Sequence, residues 1–466
     1  MKVMAELENE KFEEKRVEEV LYNLSKVVKK LGITAYIVGG LPRDIISRGK
    51  LSHDIDVVVF DDNIHIFEGV LLKELGNPPF MKAKNQKLTR IFIDNITIDI
   101  TPPKGKTLEE DLKERDFTIN TLVIPLKSLI NFRSEILDPL GVGKQDIISR
   151  NLRTPSNPKK TILSDPARII RIARFISDDF VASEELVRAA KEKIGSINQV
   201  PKERQGEELR KLFLSLKPSL GLIFLRDIGF FHYSFPKIVP ALYKDQKSPY
   251  HFEGVFEHCV RVVDLTPPDI VLRCAAFFHD IGKAFSERVL TDGRVVYWGH
   301  EKFSAEISND FLSTFKFPEN ERRKIVSVVQ NHMIYYSSDW SDSAVRRLIK
   351  RIGDDMDLVL KFVEYDIKAL KDPNPKLKSL EELRTRIFNE VRKLGKAQIK
   401  CPLDGYEIQK IFGLPKGKII GEIKKAVEEA IIEGKIKPEK SSAIEFIKKY
   451  IQEKNIIVEQ KVEVEK

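Results

Sequence analysis

Residues 35–60, AYIVGGLPRDIISRGKLSHDIDVVVF, decide how the first part of the chain is read. Two runs rich in β-branched residues, 35–38 and 57–60, read as short buried strands because turn signals bound them. Between them a loop and a short helix cross one sheet edge. This stretch also holds a glycine pair, Gly39 and Gly40, then Arg43, then two aspartates one residue apart, Asp54 and Asp56. Residues two apart in a strand share a face, so the two carboxylates address one place. Mg²⁺ takes hard oxygen ligands and commonly keeps one or two carboxylates plus substrate phosphates, which a DxD at a strand end supplies. Asp99, in ITIDIT on another expected strand, is a third carboxylate able to complete a two-metal clamp for in-line phosphoryl transfer. Gly39 and Gly40 let backbone amides approach a triphosphate without a Cβ in the way. Arg43, near a helix start, adds a forked cation.

Around this segment, 466 residues with 42% hydrophobic content suggest about three domains. There is no run of about 18 apolar residues to span a bilayer, and the Lys/Glu-rich N-terminal stretch lacks the apolar core of a secretory signal. The expectation is a cytoplasmic protein without a membrane partner. Three widely spaced cysteines, Cys259, Cys274 and Cys401, suit a reducing compartment and a packing role. A net charge of +9 favours a polyanionic partner.

Val17, Val20, Leu21, Leu24, Val27, Val28 and Leu31 have helical spacing that stops at Gly32. Strands are expected at 88–93 and 96–100, with Asp94-Asn95 as the turn between them. The chain reads as mixed α/β to about residue 135 and as helical from about 140. Polar, Pro-containing breaks at 244–254 and 371–379 mark boundaries, and residues 453–466 read as a frayed end.

The ordered blocks resemble the class II tRNA nucleotidyltransferase and poly(A) polymerase family, which includes CCA-adding enzymes. VGGLPRD with HDIDVVV is similar to its metal and triphosphate motif. LEEDLKERDFTINTL (108–122) is similar to its ribose-contacting block, where Arg115, Asp116 and Asn120 match. LDPLGVGKQDI (137–147) resembles the hinge between head and neck. SDPARIIRIARF (164–175) resembles the neck helix that selects the incoming base, and ERQGEELRKLF (203–213) the neck motif after it. Ser164, Glu114 and Val142-Gly143 depart from the usual acidic residue, arginine and glycine pair. The residues support the likeness: Asp165 and Arg168 are three apart, and Arg168, Arg171 and Arg174 recur on one helix flank. A carboxylate accepts from the exocyclic amine of cytosine or adenine, while guanidinium donors reach ring nitrogen or carbonyl oxygen. The resemblance assigns Arg171 and Arg174 to the triphosphate.

A second constellation comprises His258, His279, Asp280, His300, His332 and Asp366. Imidazoles and carboxylates on a helical scaffold can bind divalent metal. Their order resembles an HD domain. The resemblance implies His258, His279, Asp280 and Asp366 as its namesake ligands, His300 and His332 as those of binuclear forms, and Mn, Ni, Fe or Co as the metal. In such domains the metal activates water for phosphoester hydrolysis. Residues 401–436 resemble the tRNA-gripping tail of bacterial members, with lysines and helix N-termini for phosphate.

The fold expected is an α/β polymerase β-type nucleotidyltransferase head (1–135), then an all-α neck (136–245), HD domain (246–370) and tail (371–466). The activity expected is template-independent addition of CCA to tRNA from CTP and ATP, with Mg²⁺ on Asp54 and Asp56, Asp99 assisting, and Gly39, Gly40, Arg43, Arg115, Asp116 and Asn120 around the nucleotide. Alternatives are a poly(A) polymerase, a partial CC- or A-adding enzyme, an HD phosphohydrolase with a nucleotide-sensing head, and an RNA-binding protein without chemistry. Oligomeric state is left open.

Overall fold

A computed structural model describes residues 2–62, 64–82, 88–127, 131–245, 254–394, 399–454 and 456. It divides into two compact units, Met1–Pro236 and Lys237–Lys466.

The first unit opens with α1 (Lys2–Leu31), longer than its apolar spacing required, and then alternates strands and helices. These are β1 (Thr34–Val38), α2 (Gly40–Arg48), β2 (Asp54–Phe60), α3 (Ile64–Glu74), β3 (Phe80–Lys82), β4 (Thr89–Ile93), β5 (Ile96–Thr101), α4 (Leu108–Lys113) and β6 (Val123–Pro125). The six strands form one sheet in the order β3-β4-β5-β2-β1-β6. β1 and β2 therefore lie inside the sheet as an antiparallel pair, Val38 opposite Asp56, and α2 does not cross an edge as the sequence suggested. β2 also pairs with β5 in parallel, which requires the excursion through α3, β3 and β4. Burial of Val38, Val58, Leu112 and Val123 in one cluster holds α4 against the sheet. Asp94 takes a left-handed φ of 52° at the expected β4–β5 turn, where a short polar side chain tolerates that conformation.

Helices then dominate: α5 (Gly143–Ile148), α6 (Pro158–Ser164), α7 (Arg168–Ser177), α8 (Glu184–Glu192) and α9 (Lys202–Phe213), followed by Pro218–Asp227 and Phe230–Ser234. Gly143, in the segment read as a hinge, is a packing residue, since a Cβ there would stand 2.7 Å from Thr118 O. Asp165 leaves the helix in which the sequence placed it. Pro166 disfavours helical backbone at the residue before it, and Asp165 adopts φ −156° and ψ 92° between α6 and α7.

The second unit is helical apart from a two-stranded ribbon, Arg288–Val289 with Val295–Val296. The break at 371–379 ends early, because a helix begins at Asn374 and runs to Leu394. Most of the break at 244–254, and residues 455 and 457–466 of the expected frayed end, lie outside the described residues. Cys259 and Cys274 are buried as free thiols, and Cys401 is half-buried. Among the described residues no helix is long and apolar enough to cross a membrane.

Candidate active site and metal centre

Asp54 and Asp56 begin β2 and face the same way, and parallel register sets Asp99 of β5 beside Asp56. Gly39 is what lets Asp56 stand where it does. At φ 77°, a Cβ on Gly39 would lie 2.6 Å from Asp56 Oδ2, so the chain must turn there without a side chain. The tight turn serves the carboxylate as directly as any phosphate. Burial pushes the Asp56 carboxyl up to about 6; Arg115 opposes the rise, and the neighbouring charges of Asp99 and Asp54 add to it. Crowding of like charge is what a divalent cation relieves, so Asp54 and Asp56 fit Mg²⁺. Asp99 is differently engaged: Arg90, opposite it on β4, donates Nε–H and Nη2–H to its two oxygens at 2.7 Å each. The carboxylate pair plus substrate phosphates suffices for magnesium's usual requirement.

From the glycine turn a chain of polar contacts runs into the helical part. Arg43 on α2 donates to Asp44 at 2.9 Å and to Asn120 Oδ1 at 2.7 Å. Asn120 Nδ2 donates to Asp116 Oδ1 at 2.9 Å, and Arg171 Nη1 donates to Asp116 Oδ2 at 2.8 Å. Burial by itself would raise the Asp116 carboxyl, but Arg171 and Asn120 outweigh it and hold the group well below the usual carboxylate range. Arg171 also donates to Glu208 Oε1 at 2.9 Å, and Arg174 to Glu208 Oε2 at 3.2 Å. Arg43 and Arg174 both lie over the Phe175 ring, at 5.2 and 4.8 Å. Arg115 donates to Asp111 from Nε and Nη2 at 3.2 and 3.1 Å. The expected nucleotide residues Gly39, Gly40, Arg43, Asp116, Asn120, Arg171 and Arg174 are thus brought together, with the arginines partnered by carboxylates.

Asp165 and Arg168 are close in sequence but turned to different partners. Arg204 on α9 grips Asp165 with both Nη groups, at 2.8 and 2.6 Å. The buried Arg168 guanidinium donates to Thr161 O at 2.8 Å and Glu114 O at 3.2 Å, while its buried Nε has no partner among the described residues. Sequence reasoning did not single out Arg204, Glu208, Phe175 or Arg90. Arg204 and Glu208 are four apart, hence on one face of α9, which was the available signal.

In the second unit the six expected ligands converge. His258 lies on the helix Val255–Leu265, and His279 and Asp280 follow the helix Ile270–Phe278. His300 opens His300–Thr314, His332 follows Glu319–Asn331, and Asp366 lies on Met356–Lys368. Gly282 allows the turn after Asp280 to pack against His300–Thr314, since a Cβ there would meet His300 O at 2.1 Å. Among the described residues two groups can each place three ligand atoms within 4.8 Å: His258, His279 and Asp280, and Asp280, His300 and His332. Asp280 belongs to both, one oxygen 3.4 Å from His279 Nε2 and the other 3.2 Å from His300 Nε2. Asp366 Oδ1 lies 3.1 Å from His258 Nε2.

The donor set fits two cations. His279, His300 and His332 each set Nδ1 2.7 to 2.9 Å from a backbone carbonyl, of Ala276, Tyr297 and Val329. An N–H must lie on that side, which turns the Nε2 lone pair inward. Facing Nε2 atoms are 3.3 Å apart for His258 and His279, and again for His300 and His332. Convergent lone pairs need a cation between them. With only protons available, burial opposes charge on His279, but Asp280 and Asp366 override it and raise its pKa well above the usual range. Burial would likewise raise Asp280, yet Lys283 and His279 hold it far below.

Residues 35–153 match the family described as "Poly A polymerase head domain", 179–242 the "Probable RNA and SrmB- binding site of polymerase A", and 250–367 the "HD domain". The chain belongs to the class II CCA-adding tRNA nucleotidyltransferase family. It is 28% identical to the A-adding tRNA nucleotidyltransferase of Deinococcus radiodurans over 90% of this chain and 96% of that one. It is 26% identical to the CC-adding tRNA nucleotidyltransferase of Thermus thermophilus over 86% and 90%. The CCA-adding enzyme of Bacillus stearothermophilus, solved with CTP, shares the fold at a TM-score of 0.62 and 20% identity over 93% and 98% of the two chains. The family fold agrees with the α/β head and helical remainder expected from the sequence. As members of this class II family, such chains are nucleotidyltransferases, and this one carries an HD domain.

Proposed function

We propose that this nucleotidyltransferase completes CCA at the 3′ end of tRNA from CTP and ATP, without a nucleic-acid template. The observation that carries the reading is the arrangement of Asp165 and Arg168 on rigid protein partners, beside the arginine network that leads to Asp54 and Asp56. A carboxylate fixed by Arg204 can accept from the exocyclic amine of cytosine or adenine, and the buried Arg168 guanidinium supports the α6–α7 break beside it by donating to Thr161 O. Asp54 and Asp56 would hold Mg²⁺, with Asp99 beside them. Bound there, the ion polarises phosphate oxygen and makes the RNA 3′-hydroxyl a better nucleophile. Asp116 fixes Asn120 and Arg171, so that Arg43, Arg171 and Arg174 meet an incoming triphosphate in set orientations.

The whole-length likeness to an A-adding relative favours a second reading, in which only the terminal A is added. Purified protein, Mg²⁺ and tRNAs ending at the discriminator base or at CC, given CTP, ATP or both, separate the two. CCA on the shorter tRNA with both nucleotides supports the first reading. Extension of the CC-ended tRNA alone replaces it with A addition, and long A tails point to poly(A) synthesis.

For the HD centre we propose hydrolysis of phosphate esters with a divalent transition metal, Mn, Ni, Fe or Co, on the two ligand groups. Asp280, shared by both, would keep them at a fixed separation. Release of inorganic phosphate from simple esters, lost in Asp280→Ala and retained in Asp54→Ala, tests this reading.

A further inference from the structure

Strand alternation puts Asp54 and Asp56 of β2, Arg90 of β4 and Asp99 of β5 on the open face of the sheet, while their neighbours Ile55, Ile91 and Ile98 are buried on the other. Arg90 stands directly opposite Asp99 in the antiparallel β4–β5 register, and Asp99 stands beside Asp56 in the parallel β5–β2 register. One row across three strands therefore holds a guanidinium and then two carboxylates.

The Arg90 fork takes both oxygens of Asp99, at 2.7 Å each. The strands do not need this pair to stay together, because β4 and β5 are in register from Thr89 opposite Ile100 to Ile93 opposite Ile96. Nor is the pair sequestered. Its side chains are 41% and 20% exposed, and an ion pair open to water is weak and exchanges readily. The charges of Asp54 and, from α9, of Glu207 also act on the guanidinium, so Arg90 sits at the rim of an acidic cluster. While the pair holds, a cation approaching Asp99 meets a fixed positive charge and two oxygens already accepting hydrogen bonds.

We propose that Arg90 is a positioning residue that withholds Asp99 from the metal site, so that Asp99 becomes a ligand only when Arg90 swings away. This rests on the reading of Asp54 and Asp56 as Mg²⁺ ligands. With Arg90 in place, those two carboxylates and the substrate phosphates suffice for one ion. With Asp99 released, the site gains a third carboxylate for a second ion. Pairing with Arg90 also spares the metal-free protein the repulsion of three carboxylates on adjacent strands. The ion pair and the second ion exclude each other, and the fraction of molecules with Asp99 free scales the apparent affinity.

Mn²⁺, counted free in solution by its electron paramagnetic resonance signal, serves as the probe. The binding to the full chain that Asp54→Ala abolishes is the share of the DxD site. Arg90→Ala should tighten the weaker ion of that share about fivefold, the scale set by a partly exposed ion pair. Arg90→Lys, which keeps the charge and loses the fork, should tighten it about twofold. In an Asp99→Asn chain, Arg90→Ala should change nothing, because the effect passes through Asp99. Primer extension by Arg90→Ala should reach half its maximal rate at a correspondingly lower Mg²⁺ concentration. Thermal unfolding checks the fold of each variant, and Arg90→Lys carries the same test where Arg90→Ala does not fold. Unchanged or weaker Mn²⁺ binding in the Arg90 variants overturns the proposal and leaves Asp54 and Asp56 as metal ligands. A gain that survives in Asp99→Asn overturns it too, since Arg90 then acts through its bare charge. Binding that Asp54→Ala does not diminish overturns the metal reading itself, and the role of Arg90 with it.

Discussion

Arg204 holds both carboxylate oxygens of Asp165, at 2.8 and 2.6 Å, from a helix 39 residues further along the chain. The pair ties the break between α6 and α7 to α9. If Asp165 reads a base edge, Arg204 sets the direction in which it does so. Asp165→Ala should reduce discrimination for CTP and ATP over UTP and GTP by about 1–3 kcal/mol, the usual range for a bidentate base contact. Arg204→Ala should raise KM for the correct nucleotides while largely sparing kcat. Competition assays on a tRNA primer measure both, and unchanged preference in Asp165→Ala would remove Asp165 from base reading.

Gly39 and Asp56 are coupled through space. A Gly39→Ala side chain would strain a left-handed φ and meet Asp56 Oδ2 at 2.6 Å. Stability should fall by more than about 1 kcal/mol. Nucleotide addition should fall further than the roughly 10–100-fold seen when a supporting contact to a metal ligand is lost, because the ligand itself is displaced. Thermal unfolding and primer extension on the same preparation compare the two losses. Full activity in Gly39→Ala would show that Asp56 need not occupy this position.

Asp116, buried, and Arg171, partly buried, form an ion pair at 2.8 Å. The folded-state pKa of Asp116 lies below its ordinary value, so its stabilisation is complete above the ordinary carboxylate range and disappears as pH falls through the folded value. Asp116→Asn should therefore cost about 1–3 kcal/mol at pH 7, because it removes a charged hydrogen-bond partner while Glu208 remains as counter-charge to Arg171. It should also reduce the loss of stability on acidification below about pH 4. Urea unfolding at a series of pH values tests the sign; an acid dependence identical to that of the parent chain would refute it.

The HD ligands predict a stoichiometry. Protein refolded with Mn²⁺ or Ni²⁺ should carry two ions per chain by mass spectrometry. His332→Ala should carry one, since only the group that includes His300 loses a member. Asp280→Ala, common to both groups, should lose both, whereas Asp54→Ala in the other unit should leave the count at two. A full complement of metal in Asp280→Ala would contradict a shared ligand.

Much of this was legible before any coordinates. The runs at 35–38 and 57–60 read as buried strands, and strand periodicity put Asp54 and Asp56 on one face. The heptad-like apolar spacing before Gly32 foretold a helix, and three-residue spacing placed Arg168, Arg171 and Arg174 together on α7. The six candidate HD residues were collected by the resemblance of their order and residue types to an HD domain. Even the departure of Asp165 from its helix was written in Pro166, a local steric effect that the reading of residues 164–175 as one helix overlooked.

What the sequence determined by itself was therefore the set of short-range outcomes: element type, shared faces, turns, and the kinds of ligand available. Tertiary structure alone decided which distant groups complete one another. It placed Asp99 beside Asp56 yet turned it toward Arg90, and it brought Glu208 to Arg171 and Arg174. It joined Arg204 to Asp165. The reason is physical: backbone sterics and side-chain periodicity act within a few residues, whereas a charged pair depends on how helices and strands pack, which no local spacing encodes.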